Sequence, residues 1–146
     1  MSAAVWDGRG PVLVDTSAWI AARRMPAARE RLLAATQRGD VAWCWPVRYE
    51  LMVDARGADA IDALDGTLEA LREIRVGRSV QQQVLSTMRE LARRGSHGAH
   101  RLPLTDLTVA AAAQSAAVGV VHFDRHFERL GESLGIEAWW IAEPSA

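Results

Sequence analysis

Short unbroken apolar runs alternate along this chain with longer segments in which apolar residues recur every three or four positions. Val12-Leu13-Val14 is one such run, ending on Asp15, and it predicts a short buried strand. Val41–Trp45, Val120–Phe123 and Ile136–Ile141 predict three more strands, and Glu73–Val76 a weaker fifth. Between them, Pro26 suits the first turn of a helix that carries Leu32 and Leu33 and stops at Gly39. Pro46 starts another helix through Ala55, with Gly57 as its stop. Ile61, Leu64, Leu68 and Leu71 recur at helical spacing within a helix predicted over Ala58–Arg72. Ser79 is placed to cap a helix with Val80, Val84, Leu85, Met88 and Leu91 on one face. The run from Gly95 to His100 reads as a loop, and Thr105 as the cap of a helix from Asp106 to Ala117 that Gly119 ends. A short helix follows over Arg125–Leu134. About five short apolar strands separated by helices predict an α/β protein with a parallel sheet covered on both faces.

Four carboxylates break this pattern. Asp15 ends the first strand, Glu50 interrupts an apolar stretch from Val47 to Val53, Asp106 opens a helix rich in alanine, and Asp124 follows Val120-Val121-His122-Phe123. A carboxylate at the edge of a core costs several kcal/mol unless something positive shares the site. In open parallel sheets, polar residues at the carboxyl ends of strands collect in one crevice. Asp15 and Asp124 are predicted at such ends, and Glu50 and Asp106 in the early turns of helices that follow loops. One acidic pocket is therefore expected.

Composition narrows the chemistry. The 146 residues suit one domain, 1–146, able to bury roughly two-thirds of its unfolded surface. The net charge of −1 supplies no general attraction to nucleic acid, so any basic surface has to be local. All 17 basic residues are arginine, the better fork for phosphate oxygens. Arg101 and Arg125 are candidates to meet phosphates, although solvent is the ordinary fate of a surface arginine. The single cysteine, Cys44, excludes an internal disulfide and argues against a thiolate zinc site. Neither a signal peptide nor a membrane-spanning run is expected, which fits a cytoplasmic setting. The ten residues before Pro11 carry no assignable role.

Carboxylates crowded together repel by about 4 kcal/mol per pair at about 4 Å and a surface-like dielectric. A divalent cation reverses that sign. Oxygen donors without cysteine favour magnesium or manganese over zinc or copper. Such an ion can orient a water and steady the leaving oxygen of a phosphodiester.

Four segments, taken in order, resemble the characteristic segments of PIN-domain nucleases, and more narrowly the VapC toxins of VapBC toxin–antitoxin pairs. They are Val14-Asp15-Thr16-Ser17-Ala18-Trp19-Ile20, then Tyr49-Glu50-Leu51, then the run from Leu104 to Ala112, then His122-Phe123-Asp124-Arg125-His126-Phe127. The likeness extends from about residue 11 to about residue 141. It implies a three-layer α/β/α PIN-like fold and a magnesium- or manganese-dependent ribonuclease that cuts RNA. It further implies a cognate VapB-like antitoxin and a homodimer. By motif position, Asp15 and Asp106 would be the metal ligands, and Glu50 and Asp124 would complete the catalytic cluster. Thr16 or Ser17 would steady Asp15 or a water. Arg48 and Tyr49 depart from the pattern, which has smaller or apolar residues before the glutamate.

Plainer roles compete at each position. Asp15 and Asp124 could cap helices, Asp106 could serve the helix dipole, and Glu50 could pair with Arg48. His122 and His126 are four apart, but a turn at Asp124 argues against a shared zinc ion. The tryptophans at 43, 45, 139 and 140 are expected in the core or an interface, and Trp19 at a helix or dimer contact. Two other functions remain open at this stage: a binding module that keeps the fold without catalysis, and an aspartyl-phosphate phosphatase. The second is disfavoured because no acid stands two positions after Asp15.

Overall fold

A computed structural model describes residues 4–95 and 97–145. Its centre is a parallel sheet built from β1 (Val12–Val14), β2 (Val41–Trp43), β3 (Arg72–Glu73), β4 (Gly119–His122) and β5 (Ala138–Trp140), in the order β3-β2-β1-β4-β5. The chain runs outward from β1 through β2 to β3, then returns to lay β4 against the other side of β1. The order of strands thus reverses between β1 and β4, and a crevice opens at their carboxyl ends. The sheet is covered by α1 (Thr16–Ala22), α2 (Pro26–Gln37), α3 (Trp45–Val53), α4 (Ala58–Glu69), α5 (Arg78–Arg94), α6 (Leu104–Ser115) and α7 (His126–Leu134).

Strand residues divide between two cores by the two-residue period of the backbone. Val12, Val14, Val41 and Val121 face α1 and α2, packing with Ala18, Ala28 and Leu32. Leu13, Ala42 and Val120 face the opposite layer, with Leu51, Leu68, Val84, Leu107 and Phe127. Every strand core position of β1, β2 and β4 is buried, as both-face coverage requires. Among the helices, α6 is the most enclosed: the eight residues from Asp106 to Ala113 are all buried. Alanine all round a helix lets neighbours approach closely on every side, which is how α6 fits beneath the sheet between α5 and α7.

Element boundaries shift from the sequence expectation for local reasons. β2 stops at Trp43, not Trp45, because α3 already begins at Trp45 with Pro46 in its first turn. Trp45 consequently stands 60% exposed, whereas Trp43 and Trp140 are buried as expected. Trp43 Nε1 donates to the Leu68 carbonyl at 2.7 Å. Trp19 is half-buried and packs against both cores. β3 is only Arg72–Glu73 and lies at the sheet edge. Gly77, not Ser79, precedes α5, and Pro103, not Thr105, precedes α6. The loop expected over 95–100 has bend and turn geometry at Gly95 and from His97 onward, and Ser96 lies outside the described residues. The segment before Pro11 does have a structural part. Trp6 is buried in the first-mentioned core, and Ala4–Trp6 runs parallel beside β5 through backbone hydrogen bonds to Trp140. The three residues before it lie outside the description.

Arg48 explains its own departure from the family pattern. Its guanidinium lies 4.8 Å above the Trp43 ring and pairs with Asp65 and Glu69, clamping α3 to α4.

Gly119 was expected to end a helix; instead it opens β4 after a turn at Ala116 and Ala117. A β-carbon there would strike the Trp139 ring and the Glu137 carbonyl, which is backbone and cannot yield easily. At Gly66, inside α4, nothing stands within 4 Å of such a carbon. Gly119→Ala is expected to destabilise the protein by about 1–3 kcal/mol. Gly66→Ala is expected to stabilise it by roughly 0.5–1 kcal/mol, through helix propensity. Urea denaturation of the two variants beside the parent reads both signs.

Candidate metal centre

Asp15 sits at the carboxyl end of β1, held in the sheet by its backbone N–H to the Val121 carbonyl at 2.9 Å. Its two oxygens have separate fates. Oδ2 accepts from the Ser17 N–H at 3.0 Å and from Ser17 Oγ at 2.5 Å, so the side chain does cap α1. Oδ1 is buried and has no hydrogen-bond partner in the protein. A cap accounts for half of this carboxylate and leaves the other half unexplained. Ser17 Oγ also accepts from the Phe123 N–H at 2.9 Å, tying the end of β1 to the end of β4.

Glu50 reaches the same crevice from α3. Thr16 Oγ1 donates to its Oε1 at 2.8 Å. The two hydroxyls expected to serve Asp15 therefore divide: Ser17 holds Asp15 and Thr16 holds Glu50. Arg48, turned toward α4, does not pair with Glu50. Asp106 enters from the first turn of α6, and Asp124 from the turn after β4. His126, the first residue of α7, joins them: its Nδ1 lies 2.6 Å from Asp106 Oδ2 and 3.3 Å from Asp124 Oδ1. Asp124 Oδ1 also accepts from the His126 N–H at 3.0 Å, the start of a helix cap.

Burial and neighbouring charge both act on these acids. The Asp15 carboxyl is pushed up to about 6, first by burial, with the charges of Asp106 and Glu50 adding to it and the Ser17 hydrogen bonds opposing. Asp106 is also raised by burial and by the charges of Asp124 and Glu50, against the pull of His126. Mutual charge effects put the four predicted carboxylates within reach of one another at the carboxyl ends of β1 and β4, but among the described residues only Asp106 and Asp124 come close enough, together with His126, to offer donor atoms to one ion. Asp106, Asp124 and His126 each offer one donor atom within 4.8 Å of the others. His126, weighed in the sequence only as a zinc partner of His122, pairs instead with Asp106, which lies 20 positions away along the chain. The orphaned Asp15 oxygen and the crowded carboxylates fit a divalent cation, which would satisfy the one and neutralise the other.

Two neighbours of the site are excluded from it. His122 is fully buried between the Phe127 and Trp140 rings, with centroids 5.1 and 4.9 Å away. Its Nδ1 accepts from the Asp124 N–H at 3.2 Å, so it shares no ion with His126. The Cys44 thiol is buried just before α3 and pushed up to about 12 by that burial, which leaves it unreactive.

The PIN domain family model matches residues 12–133. Ribonuclease VapC18 of Mycobacterium tuberculosis is 35% identical over 128 residues, covering 88% of this chain and 93% of that protein. The chain belongs to the PIN-domain family, in its VapC-type branch. Ribonuclease VapC21 of Mycobacterium tuberculosis is a further relative, 31% identical over 90% of this chain and 94% of its own. Among solved structures, this PIN domain superposes on a chain of the DNA-bound VapBC complex from Salmonella typhimurium. The TM-score is 0.69 at 20% identity, over 92% of this chain and 100% of that one. VapBC-5 from Mycobacterium tuberculosis gives a TM-score of 0.62 at 24% identity, over 90% and 99%. Those likenesses establish the three-layer fold. PIN-domain nucleases depend on a metal, and the donor set of this PIN domain suits one.

Asp15 and His122 pull stability in opposite directions over the same pH range. Asp15, raised from 3.8 to about 6, contributes stability that is full below about pH 4 and lost as pH rises through about 6. His122, lowered by burial from 6.5 to about 4, contributes stability present above its unfolded value and lost as pH falls through about 4. Asp15→Asn removes the first slope alone. In chelator at pH 7.5 this variant is expected to exceed the parent in stability by roughly 1–3 kcal/mol. The gap should close toward pH 4, as paired denaturation curves at the two pH values would show.

Proposed function

We propose that this VapC-type PIN domain, taken as one unit over 1–146, is a metal-dependent endoribonuclease and the toxin of a type II toxin–antitoxin pair. The observation that carries this reading is the buried Asp15 carboxylate, whose Oδ1 lacks a donor while the charges of Glu50 and Asp106 act on it and those of Glu50 and Asp124 act on Asp106. The ribonuclease names of its relatives supply the substrate class, and the VapBC complexes among its structural neighbours supply a VapB-like antitoxin as partner.

Asp15 and Asp106 would hold magnesium or manganese, with Glu50 and Asp124 completing the cluster. When bound, such an ion supplies positive charge to a phosphoryl oxygen and to the attacking water. The chain's own residues supply the geometry. Ser17 fixes Asp15 against rotation, and Thr16 fixes Glu50 across a separation of 34 residues. Glu50 and Asp124 are half-buried, so their oxygens can accept hydrogen bonds from water or from ribose hydroxyls. Asp106, 11% exposed in its side chain, is held by His126 at 2.6 Å. Because the reacting group is a phosphodiester anion, an uncompensated set of four carboxylates would repel the substrate, and a bound cation would offset that repulsion. A homodimer is part of this proposal and would give a mass of twice 16.0 kDa by light scattering.

No helix among the described residues is long and apolar enough to cross a membrane.

Asp15→Asn and Asp106→Asn are each expected to lower cleavage of a total-RNA substrate by about 100-fold or more, with circular dichroism unchanged. Chelation should abolish parental cleavage, and magnesium or manganese should restore it. Cleavage by both variants at the parental rate would falsify the assignment.

A further inference from the structure

Beside the carboxylates of Asp106 and Asp124 stands a half-exposed nitrogen donor, His126 Nδ1. We infer that His126 Nδ1 is a direct ligand of the ion, alongside Asp106 and Asp124, and that it shifts the site's preference from magnesium toward manganese-like transition ions. This inference rests on the metal-dependent reading above and specifies which ion that site is built to take.

The spacing supports it. Two donors on adjacent corners of an octahedron of about 2.1 Å radius lie about 3 Å apart. The Nδ1 distances of 2.6 Å to Asp106 Oδ2 and 3.3 Å to Asp124 Oδ1 bracket that value. The oxygens of Asp106 and Asp124 also lie within 4.8 Å of each other, so one ion can reach all three donors with modest side-chain adjustment. The backbone is already set, because the His126 N–H donates to Asp124 Oδ1, and Phe127, fully buried, anchors the start of α7. The imidazole is 41% exposed and so is not a core histidine like His122. A second observation points into the same pocket: Asp15 Oδ1, on a residue only 3% exposed, is an acceptor with no donor, and Asp106 lies close enough to raise its pKa.

Magnesium retains oxygen ligands and water, whereas imidazole suits first-row transition ions. A carboxylate-only site has little basis for choosing between magnesium and manganese. One nitrogen donor introduces that basis. The competing role for His126 is positional: its Nδ1–H would donate to Asp106 and orient that carboxylate without touching the ion. The two roles differ in what the ion itself senses.

Manganese is the probe, added to the full chain and to His126→Ala. Loss of the free-ion electron paramagnetic resonance signal reads binding, and pulsed measurements on the bound ion read coupling to a nitrogen nucleus. Calorimetry with magnesium supplies the second affinity, and circular dichroism checks the fold. Nitrogen coupling is expected in the parent and lost in His126→Ala. Manganese affinity should fall at least about tenfold, the lower end for losing even an outer partner of a metal ligand, and magnesium affinity should fall distinctly less. Bound manganese without nitrogen coupling, or equal weakening of both ions, overturns the ligand role and leaves the metal-dependent nuclease standing. Failure of manganese to bind at all overturns both.

Discussion

Mutual repulsion among carboxylates gathered at the carboxyl ends of β1 and β4 is the constraint around which the rest of the molecule is arranged. Ionised together, Asp15, Glu50, Asp106 and Asp124 would oppose folding; the carboxyls of Asp15 and Asp106 are raised first by burial, and the neighbouring acids add to it. The scaffold does not relieve it by placing a lysine or arginine among them. It holds the acids in place with hydroxyl groups, Ser17 for Asp15 and Thr16 for Glu50, and leaves one buried oxygen without any donor. Hydroxyl groups orient a carboxylate without cancelling its charge. That is the arrangement a cation site needs, because a resident guanidinium would compete with the ion.

Holding charges against their repulsion requires rigid supports, and the fold provides them from both sides of the sheet. α1 begins directly on Asp15, so the strand end and the helix cap are the same residue. α6 carries Asp106 on its first turn and is then enclosed for two turns by alanines that permit close packing. His122 anchors the turn to Asp124 from beneath, wedged between two aromatic rings. The Arg48 clamp ties α3, the source of Glu50, to α4. Each carboxylate therefore hangs from an element fixed by its own packing, as a preorganised site requires.

Much of this was legible in the chain. The apolar runs located β1, β2, β4 and β5, while the weaker run over Glu73–Val76 met β3 only at Glu73, and a parallel α/β sheet followed from the alternation of strands with helices. The four acids stood out because each interrupts an apolar or small-residue frame, and their order matched the PIN pattern. Boundaries were less legible. Pro46 was read as the start of α3, yet Trp45 had already left the strand. Gly119 was read as a helix stop, although its lack of a side chain serves close packing against Trp139. Local propensity cannot register a contact made by a residue twenty positions away.

The sequence by itself determined the fold class and the identity of the four carboxylates, because periodicity and misplaced charge are properties of neighbouring residues. Only the tertiary structure decided how those residues are used. It assigned Thr16 to Glu50 and Ser17 to Asp15, buried His122 in the core, and brought His126 to Asp106. It also gave the residues before Pro11 a place beside β5. Each of these outcomes depends on which elements lie side by side once the strand order reverses between β1 and β4, and pairings between distant segments leave no periodic trace in the chain.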